Sequence, residues 1–331
     1  MSRPQSAMVA PLQKALQSGA PHLGLERVIS VERFTSGLSS QSYSISAETD
    51  DGPATWVMRL EPEHGVIPPY DITREYRLMA EVGAAGILAP KTLYLEEDAS
   101  AIGGRFMLMA HVDGVVYGSR DPRLAEDPEL LATVQDQFIE TLARIHETPQ
   151  TVLPAFADGP TSARAEVEVC RRRLEKIERI PAPILRHTLD VLDRMAPESQ
   201  RIGLLHGDYR LPNLMWKDGK LVGVLDWELA RVGDPLSDLA FTQTVGIGPC
   251  AVEGELAQRY SERTGVEIDE KLIVYYKLLE LAKSSIIGLG GASDLAQGGD
   301  DLRLLSVATI ATAGQPMLSV FQAQLEALLE A

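Results

Sequence analysis

The dipeptide Asp218-Gly219 stands between two apolar runs, Leu214-Met215-Trp216-Lys217 and Lys220-Leu221-Val222-Gly223-Val224-Leu225. An Asp-Gly pair adopts the positive φ angles of a two-residue hairpin turn at little steric cost, so the runs are expected to pair as antiparallel strands. With Lys217 facing Lys220, counting back sets Asn213 opposite Val224. Asn213 and Asp226 then meet at the open end of the ladder. An amide oxygen and a carboxylate held together there suit a hard divalent cation such as Mg2+. A hairpin with ordinary polar flanks has the same turn, and what distinguishes this one is the order of residues around it.

Ahead of the hairpin the chain reads Leu204-Leu205-His206-Gly207-Asp208-Tyr209-Arg210-Leu211-Pro212-Asn213. Its skeleton, H-x-D-x-x-x-x-N, has the spacing of a kinase catalytic loop. There the Asp orients the attacking hydroxyl and takes its proton, while the Asn binds metal. Leu225-Asp226-Trp227-Glu228 then ends the second strand on an acid. Two look-alikes fall away. Ala196-Pro197-Glu198 spells the A-P-E of protein kinases but precedes Asp226, and only 11 residues separate Asp226 from Asp238. That leaves no room for an activation segment that docks a protein substrate. No P-loop, complete G-x-G-x-x-G, G-x-S-x-G or H-E-x-x-H motif gives a competing chemistry an entry point.

Composition narrows the partners. The 331 residues include 31 Lys+Arg and 47 Asp+Glu, a net charge of −16, with 45% hydrophobic residues. This is a folded composition, long enough for two domains or one two-lobed domain. The acid surplus argues against duplex nucleic acid and against anionic lipid as partners. Cys170 and Cys250 are too few for a disulfide scaffold or a Cys-based zinc site. No apolar h-region follows Met1-Ser2-Arg3-Pro4-Gln5 and no run of eighteen apolar residues occurs, so a soluble cytoplasmic protein is expected.

Patterning divides the chain in two. After a short helix to about Gln17, strands are expected over Val28–Thr35, Tyr43–Glu48, Thr55–Leu60, Leu93–Leu95 and Phe106–Met109, with a helix over Ile72–Val82. Beyond Gly114 the period changes to that of helices. Leu131, Val134, Phe138, Leu142 and Ile145 mark one apolar face. Further helices are expected over 163–180, 182–195, 271–288 and 301–331, the last interrupted near Gly314-Gln315-Pro316, and the Asp218-Gly219 hairpin is the one clear strand pair.

Together these motifs resemble the aminoglycoside phosphotransferase and choline kinase superfamily, a branch of the protein-kinase-like fold. The likeness rests on His206 to Asn213, on Asp226 to Glu228, and on Gly233-Asp234-Pro235 with Asp238-Leu239-Ala240, which matches the family's G-D-P-x-x-D-L-A stretch. It extends from about Phe34 to Tyr276 and is most specific over Leu204–Ala240. The resemblance implies an α+β, two-lobed protein-kinase-like fold. A small β-rich N-lobe would take residues 1–109, a hinge 110–114, and a larger helical C-lobe 115–331. It also implies that Asp208 is the catalytic base and that Asn213 and Asp226 hold Mg2+.

The other parts fall in family order. Ser36, Gly37, Ser39 and Ser40 lie between two strands, where the family places the loop that covers the ATP phosphates; small side chains let backbone N–H groups approach the oxygens. Arg59 matches the cation aimed at those phosphates, and Glu75 the helix glutamate that pairs with it. Phe106 to Gly114 resembles the hinge, with adenine against Met109 and hydrogen bonds at the Ala110 and Val112 backbone. His146 is read as a packing residue and His206 as a residue that shapes its loop.

The implied function is ATP- and Mg2+-dependent phosphorylation of a hydroxyl on a small molecule, with no nucleic-acid or membrane partner. Val57-Met58-Arg59, Asp71 to Arg77 and Leu225 to Glu228 look closer to the kinase-like domain fused to certain acyl-CoA dehydrogenases. That likeness points to hydroxyacyl or other metabolic hydroxyls rather than antibiotics, although Glu61-Pro62-Glu63-His64 departs from that subgroup, where more basic residues are expected. A catalytically silent kinase-like binding module is the alternative of a different class. Intact Asp208, Asn213 and Asp226 argue against it.

Overall fold

Alternation of buried and exposed side chains along consecutive runs builds the first layer of the molecule. β1 (Leu25–Arg33), β2 (Gln41–Thr49) and β3 (Gly52–Leu60) pair antiparallel, and β4 (Thr92–Glu96) and β5 (Phe106–Ala110) extend the sheet in the order β1-β2-β3-β5-β4. The computed structural model describes residues 5–34, 41–62, 70–149, 161–177, 182–198, 201–246, 248–250, 255–297 and 315–330. On one face of the sheet Val28, Ile45, Trp56, Met58 and Leu108 lie beneath α1 (Gln5–Gly19), which contributes Met8, Leu12 and Leu16. Side chains one step along point the other way. Val57, Arg59, Met107 and Met109 therefore share the opposite face, with Arg59 across from Met107 in register.

That second face belongs to a larger core. Asp71 caps α2 (Ile72–Ala84) by accepting the Arg74 N–H at 3.1 Å. The helix buries Ile72, Leu78, Met79 and Val82 in the same cluster as Met107 and Met109. The cluster continues into the helical layer, formed by α3 (Pro122–Glu126), α4 (Pro128–His146), α5 (Ala163–Lys176), α6 (Pro183–Arg194), α7 (Leu236–Thr244), α8 (Glu255–Thr264), α9 (Glu270–Ala296) and α10 (Gln315–Glu330). Along α4, Val134, Phe138, Leu142 and Ile145 are buried at steps of three and four. The fold is thus α+β, a small antiparallel sheet followed by a larger helical portion. Among the described residues no helix is long and apolar enough to cross a membrane.

Short strands sit between the helices. β6 (Val115–Val116), β8 (Leu214–Lys217) and β9 (Lys220–Val224) form a three-stranded sheet in the order β6-β8-β9, and β7 (Gly203–Leu205) pairs with β10 (Arg231–Gly233). The β6 and β7–β10 pairings involve two or three residues each, too few to leave a period in the sequence. The helix expected over 163–180 ends at Lys176, and the one expected over 271–288 continues to Ala296. Of the segment expected as helix over 301–331, residues 301–314 and Ala331 lie outside the described residues.

The hairpin forms, but its register corrects the expectation. Asp218 (φ 50°) and Gly219 (φ 72°) make the turn. Lys217 faces Lys220 and Trp216 faces Leu221, yet Met215 faces Gly223 and Leu214 faces Val224. A bulge at Val222 shifts the ladder by one residue, so Asn213 is level with Leu225 rather than Val224, and its carbonyl accepts the Leu225 N–H at 2.8 Å. The strand has other partners to satisfy. Val224 donates to the Leu88 carbonyl at 2.7 Å, and Leu221 to Gln137 Oε1 at 2.9 Å. Gly223 lies so close to Val112 that a Cβ would stand 3.0 Å from Val112 Cγ1.

Gln137 of α4 also donates to the Gly219 carbonyl at 2.7 Å, clamping the turn from both sides. Gln137→Ala removes two part-buried hydrogen bonds and is predicted to lower the unfolding free energy by about 1–2 kcal/mol. Urea titration checks this, and a wild-type midpoint would mean that the turn holds without the clamp.

Candidate active site

β7 delivers the chain to His206 with two unpaired backbone N–H groups, and a buried carboxylate meets both. Asp238, in the first turn of α7, accepts the His206 N–H at 2.7 Å and the Gly207 N–H at 2.9 Å. His146, the last residue of α4, reaches Asp238 Oδ2 at 3.2 Å through Nε2, and its Nδ1 lies 2.8 Å from the Tyr260 hydroxyl. Burial acts to raise the Asp238 carboxyl. The His146 hydrogen bond, with the charges of His146 and Arg231, prevails and holds it down to about 2. Gly207 adopts φ +82°, and a Cβ there would stand 2.5 Å from the Leu229 carbonyl oxygen, so the loop has room for glycine alone.

His206 is fully buried. Its Nε2 donates to the Leu225 carbonyl at 2.9 Å and its Nδ1 accepts the Asp208 N–H at 3.2 Å. Burial pushes its pKa down, which favours the neutral ring, and the ring ties this loop to the end of the hairpin. His206 therefore shapes the loop as the sequence predicts. His146 is structural as well, but as a brace on Asp238 rather than as packing alone.

Asn213 follows the short helical turn Leu211–Asn213 and gives its side-chain NH2 to Asp208, at 2.9 Å to the backbone carbonyl and 2.7 Å to Oδ2. Its own amide oxygen is left for another partner. Arg210 Nε stands 2.8 Å from the other Asp208 oxygen. Burial pushes the Asp208 carboxyl up to about 6; the Arg210 charge opposes this and the nearby Asp226 charge adds to it.

Asp226 takes the left-handed conformation, φ 68° and ψ 62°, uncommon for a residue with a side chain. Trp227 behind it is fully buried and donates its indole N–H to the Val224 carbonyl at 2.8 Å, which holds the reversal in place. The Asp226 carboxylate reaches Arg59. Arg59 Nη1 lies 2.7 Å from Glu75 and 3.0 Å from Asp226, and its Nη2 lies 2.9 Å from Glu228. The Arg59–Glu75 pair expected from the sequence is present. The contacts to Asp226 and Glu228 were not expected, and they join β3 and α2 to the hairpin end. Burial pushes the Glu75 carboxyl up to about 7 against the pull of Arg59.

The remaining expectations divide. Met109 is buried at the end of β5 beside Ala110, whose N–H donates to the Lys91 carbonyl at 2.8 Å. Val112 packs near Gly223 of the hairpin. Ser36, Gly37, Ser39 and Ser40 lie outside the described residues, although the strands on either side of them are paired. Asp238, Arg210 and Glu228 were assigned no part by sequence reasoning. Asp238 stood in the quoted D-L-A stretch and Glu228 in the D-x-E, so position within those motifs was the available signal. Among the described residues no group of three or more His, Cys, Asp and Glu side chains is placed to hold a metal ion.

A model described as "Phosphotransferase enzyme family" matches residues 30–270. The chain belongs to this family. It is 30% identical over 220 residues to acyl-CoA dehydrogenase family member 11 of Gallus gallus, a match covering 64% of this chain and 27% of that protein. The chain therefore spans about a quarter of that relative's length. Among solved structures, a Ralstonia eutropha protein assigned as an aminoglycoside phosphotransferase superposes with a TM-score of 0.72 at 23% identity, covering 95% of this chain and 97% of that one. A spectinomycin phosphotransferase in complex with ADP and spectinomycin gives 0.64 at 13% identity, covering 98% and 99%. The fold and both family likenesses expected from the sequence are met.

The depressed Asp238 carboxyl makes a prediction with a defined sign. Its stabilising contribution is fully present above the ordinary value of 3.8 and is lost as pH falls toward 2. Asp238→Asn should cost about 2 kcal/mol of stability at pH 7. The gap from wild type should narrow on acidification below 3.8. Denaturant melts across that range test it, and a gap that stays constant would mean that the ionised carboxylate is not the clamp.

Proposed function

We propose that this protein is a small-molecule kinase, transferring the γ-phosphoryl group of ATP to an acceptor hydroxyl with the help of Mg2+. The observation that carries the proposal is the convergence of Asp208, Asn213 and Asp226 at one end of a hairpin, on a loop braced by Asp238. The donor set fits a hard cation. One guanidinium, Arg59, stands among three carboxylates, which leaves an excess of oxygen-borne negative charge. Asp226 and the Asn213 amide oxygen would hold the ion, with water and phosphate oxygens as its other ligands. When bound, the cation supplies neutralisation of the phosphate charge.

Asp208 orients the acceptor hydroxyl and takes its proton while the new O–P bond forms and the bond to the ADP oxygen breaks. Asn213 fixes the rotamer of Asp208 through its two hydrogen bonds. Arg59, positioned by Glu75, steadies the phosphates, and Ser36, Gly37, Ser39 and Ser40 cover them. Residues 110–114 serve as the hinge between an N-lobe, 1–109, and a C-lobe, 115–331. Because the Ala110 N–H is committed to Lys91, a purine beside Met109 meets the Ala110 carbonyl and the Val112 N–H. Among acceptors, the relationship to an acyl-CoA dehydrogenase family member favours a hydroxyacyl-type metabolite over an antibiotic.

ADP release with Mg·ATP and a panel of aminoglycosides, choline, sugars and hydroxyacyl-CoAs tests the activity. Nucleotide binding with no release across the panel is the outcome expected of a silent binding module. Asp208→Ala is predicted to reduce turnover by about 10²–10⁴-fold with ATP binding retained in calorimetry. Wild-type turnover in that variant would remove Asp208 from its role. The base must be ionised, so kcat/KM should fall as pH drops below about 6. Arg210→Ala should move that limb to higher pH, because the Arg210 charge holds the Asp208 carboxyl down.

A further inference from the structure

A cavity of about 340 Å3 opens beside the catalytic loop. Gly207, the residue before Asp208, forms part of its wall, whereas the residues of the 109–112 segment do not. It lies against the residue before Asp208 and away from the segment read as the hinge. Val169 and Cys170 of α5, Phe241 of α7 and Ile287 of α9 give it an apolar lining. Its volume is at the small end of the range for ligand pockets, about 300–1,000 Å3.

Most of the acids around the cavity have a basic partner, although Glu75 and Glu228 share Arg59 with Asp226. Glu61 receives a two-pronged contact from Arg105, at 2.7 Å on each oxygen. Glu75 and Glu228 face Arg59. Glu166 and Glu280 share Arg231 and Lys283, at distances from 2.6 to 3.2 Å. Asp71 caps α2, and Arg74 donates to the Ala230 carbonyl at 3.0 Å.

Arg173 is different. It lines the same cavity from α5, is half-buried, and among the described residues pairs with no carboxylate. Burial is the largest influence on its guanidinium and pushes its pKa down; no Asp or Glu stands among the charged neighbours acting on it. Leaving a partly desolvated cation unpartnered is unfavourable, and a planar guanidinium is shaped for a carboxylate.

We propose that Arg173 anchors the acceptor: a hydroxylated carboxylic acid whose apolar chain fills the cavity, whose carboxylate pairs with Arg173, and whose hydroxyl faces Asp208. The inference rests on reading Asp208 as the base, and it names the substrate class for that reading. A single guanidinium and a cavity of this volume match one carboxylate rather than a nucleotide-sized anion. A polycationic acceptor would bring ammonium groups against an unpaired guanidinium, a like-charge contact that selects against it.

Three acceptor types with the same hydroxyl end separate the possibilities: ω-hydroxyalkanoates of four, six and eight carbons, their methyl esters, and the matching amino alcohols. With the full chain and Mg·ATP, at least one acid should exceed its ester and its amine in kcat/KM by about tenfold or more. Arg173→Ala should collapse the acid-to-ester ratio to about one through KM, Arg173→Glu should favour the amine, and Arg173→Lys should retain a weakened acid preference. Calorimetry with the acids, without nucleotide, should record binding to the wild type that Arg173→Ala loses. Acid binding that depends on Arg173 without any ADP release would sink the kinase reading and leave the anchor standing. Turnover with no acid preference, a preference that survives Arg173→Ala, or no acid bound at any chain length would overturn the anchor.

Discussion

The Asp238 carboxylate is the contact on which the site depends. The loop after β7 has no ladder of its own, so its buried N–H groups need partners from outside, and Asp238 supplies both oxygens to His206 and Gly207. Because the acceptor is ionised and buried, each bond is stronger than a neutral one, and each loses more if the geometry slips. His146 and Tyr260 extend the clamp into α4 and α8. The loop is therefore positioned by three helices, and Asp208 inherits that rigidity although it touches none of them through its carboxylate.

The second tie runs through Arg59. β3 places it on the sheet face that looks toward α2, and α2 presents Glu75 to it, so both partners are fixed by elements that pack in one core. The same guanidinium reaches Asp226 and Glu228 more than 160 residues along the chain. One cation among three carboxylates is an incomplete neutralisation. Asp226 and Asn213 stand at the same end of one hairpin, where the Asn213 carbonyl accepts the Leu225 N–H.

Much of this was legible in the sequence, and the reasons differ by element. The alternating strands and the three-four spacing of α4 declared themselves because burial acts on a period. The Asp218-Gly219 turn did so because few dipeptides adopt its backbone angles. Asn213 and Asp226 were readable as neighbours from that turn, yet the register was off by one. A bulge answers to partners elsewhere, Leu88 and Gln137, that no local pattern encodes. β6, β7 and β10 are too short to have a period. Asp238 was visible as a letter in a motif but not as a clamp, since its two donors lie about thirty residues upstream and its partner His146 farther still. Arg173 left no local trace. Among the basic residues of α5, sequence alone marks none as unpaired, because pairing is decided by α9 and β10.

The net charge of −16 illustrates the same separation between what a chain totals and what a site presents. Taken as a sum, it would suggest that an acidic pocket awaits a cationic acceptor. Local pairing reverses that suggestion. Around the cavity Arg105, Arg59, Arg231 and Lys283 each pair with at least one carboxylate, which offsets much of the acidic field there, although Arg59 is shared by three. Among the described residues Arg173 lines the cavity with no carboxylate partner. Since Coulomb interactions strengthen as water is excluded, one unpaired guanidinium at close range outweighs many screened carboxylates on the outer surface. The acid surplus is a property of the whole surface, screened by water and salt. A ligand entering the cavity would meet the few charges that face it directly, not the total.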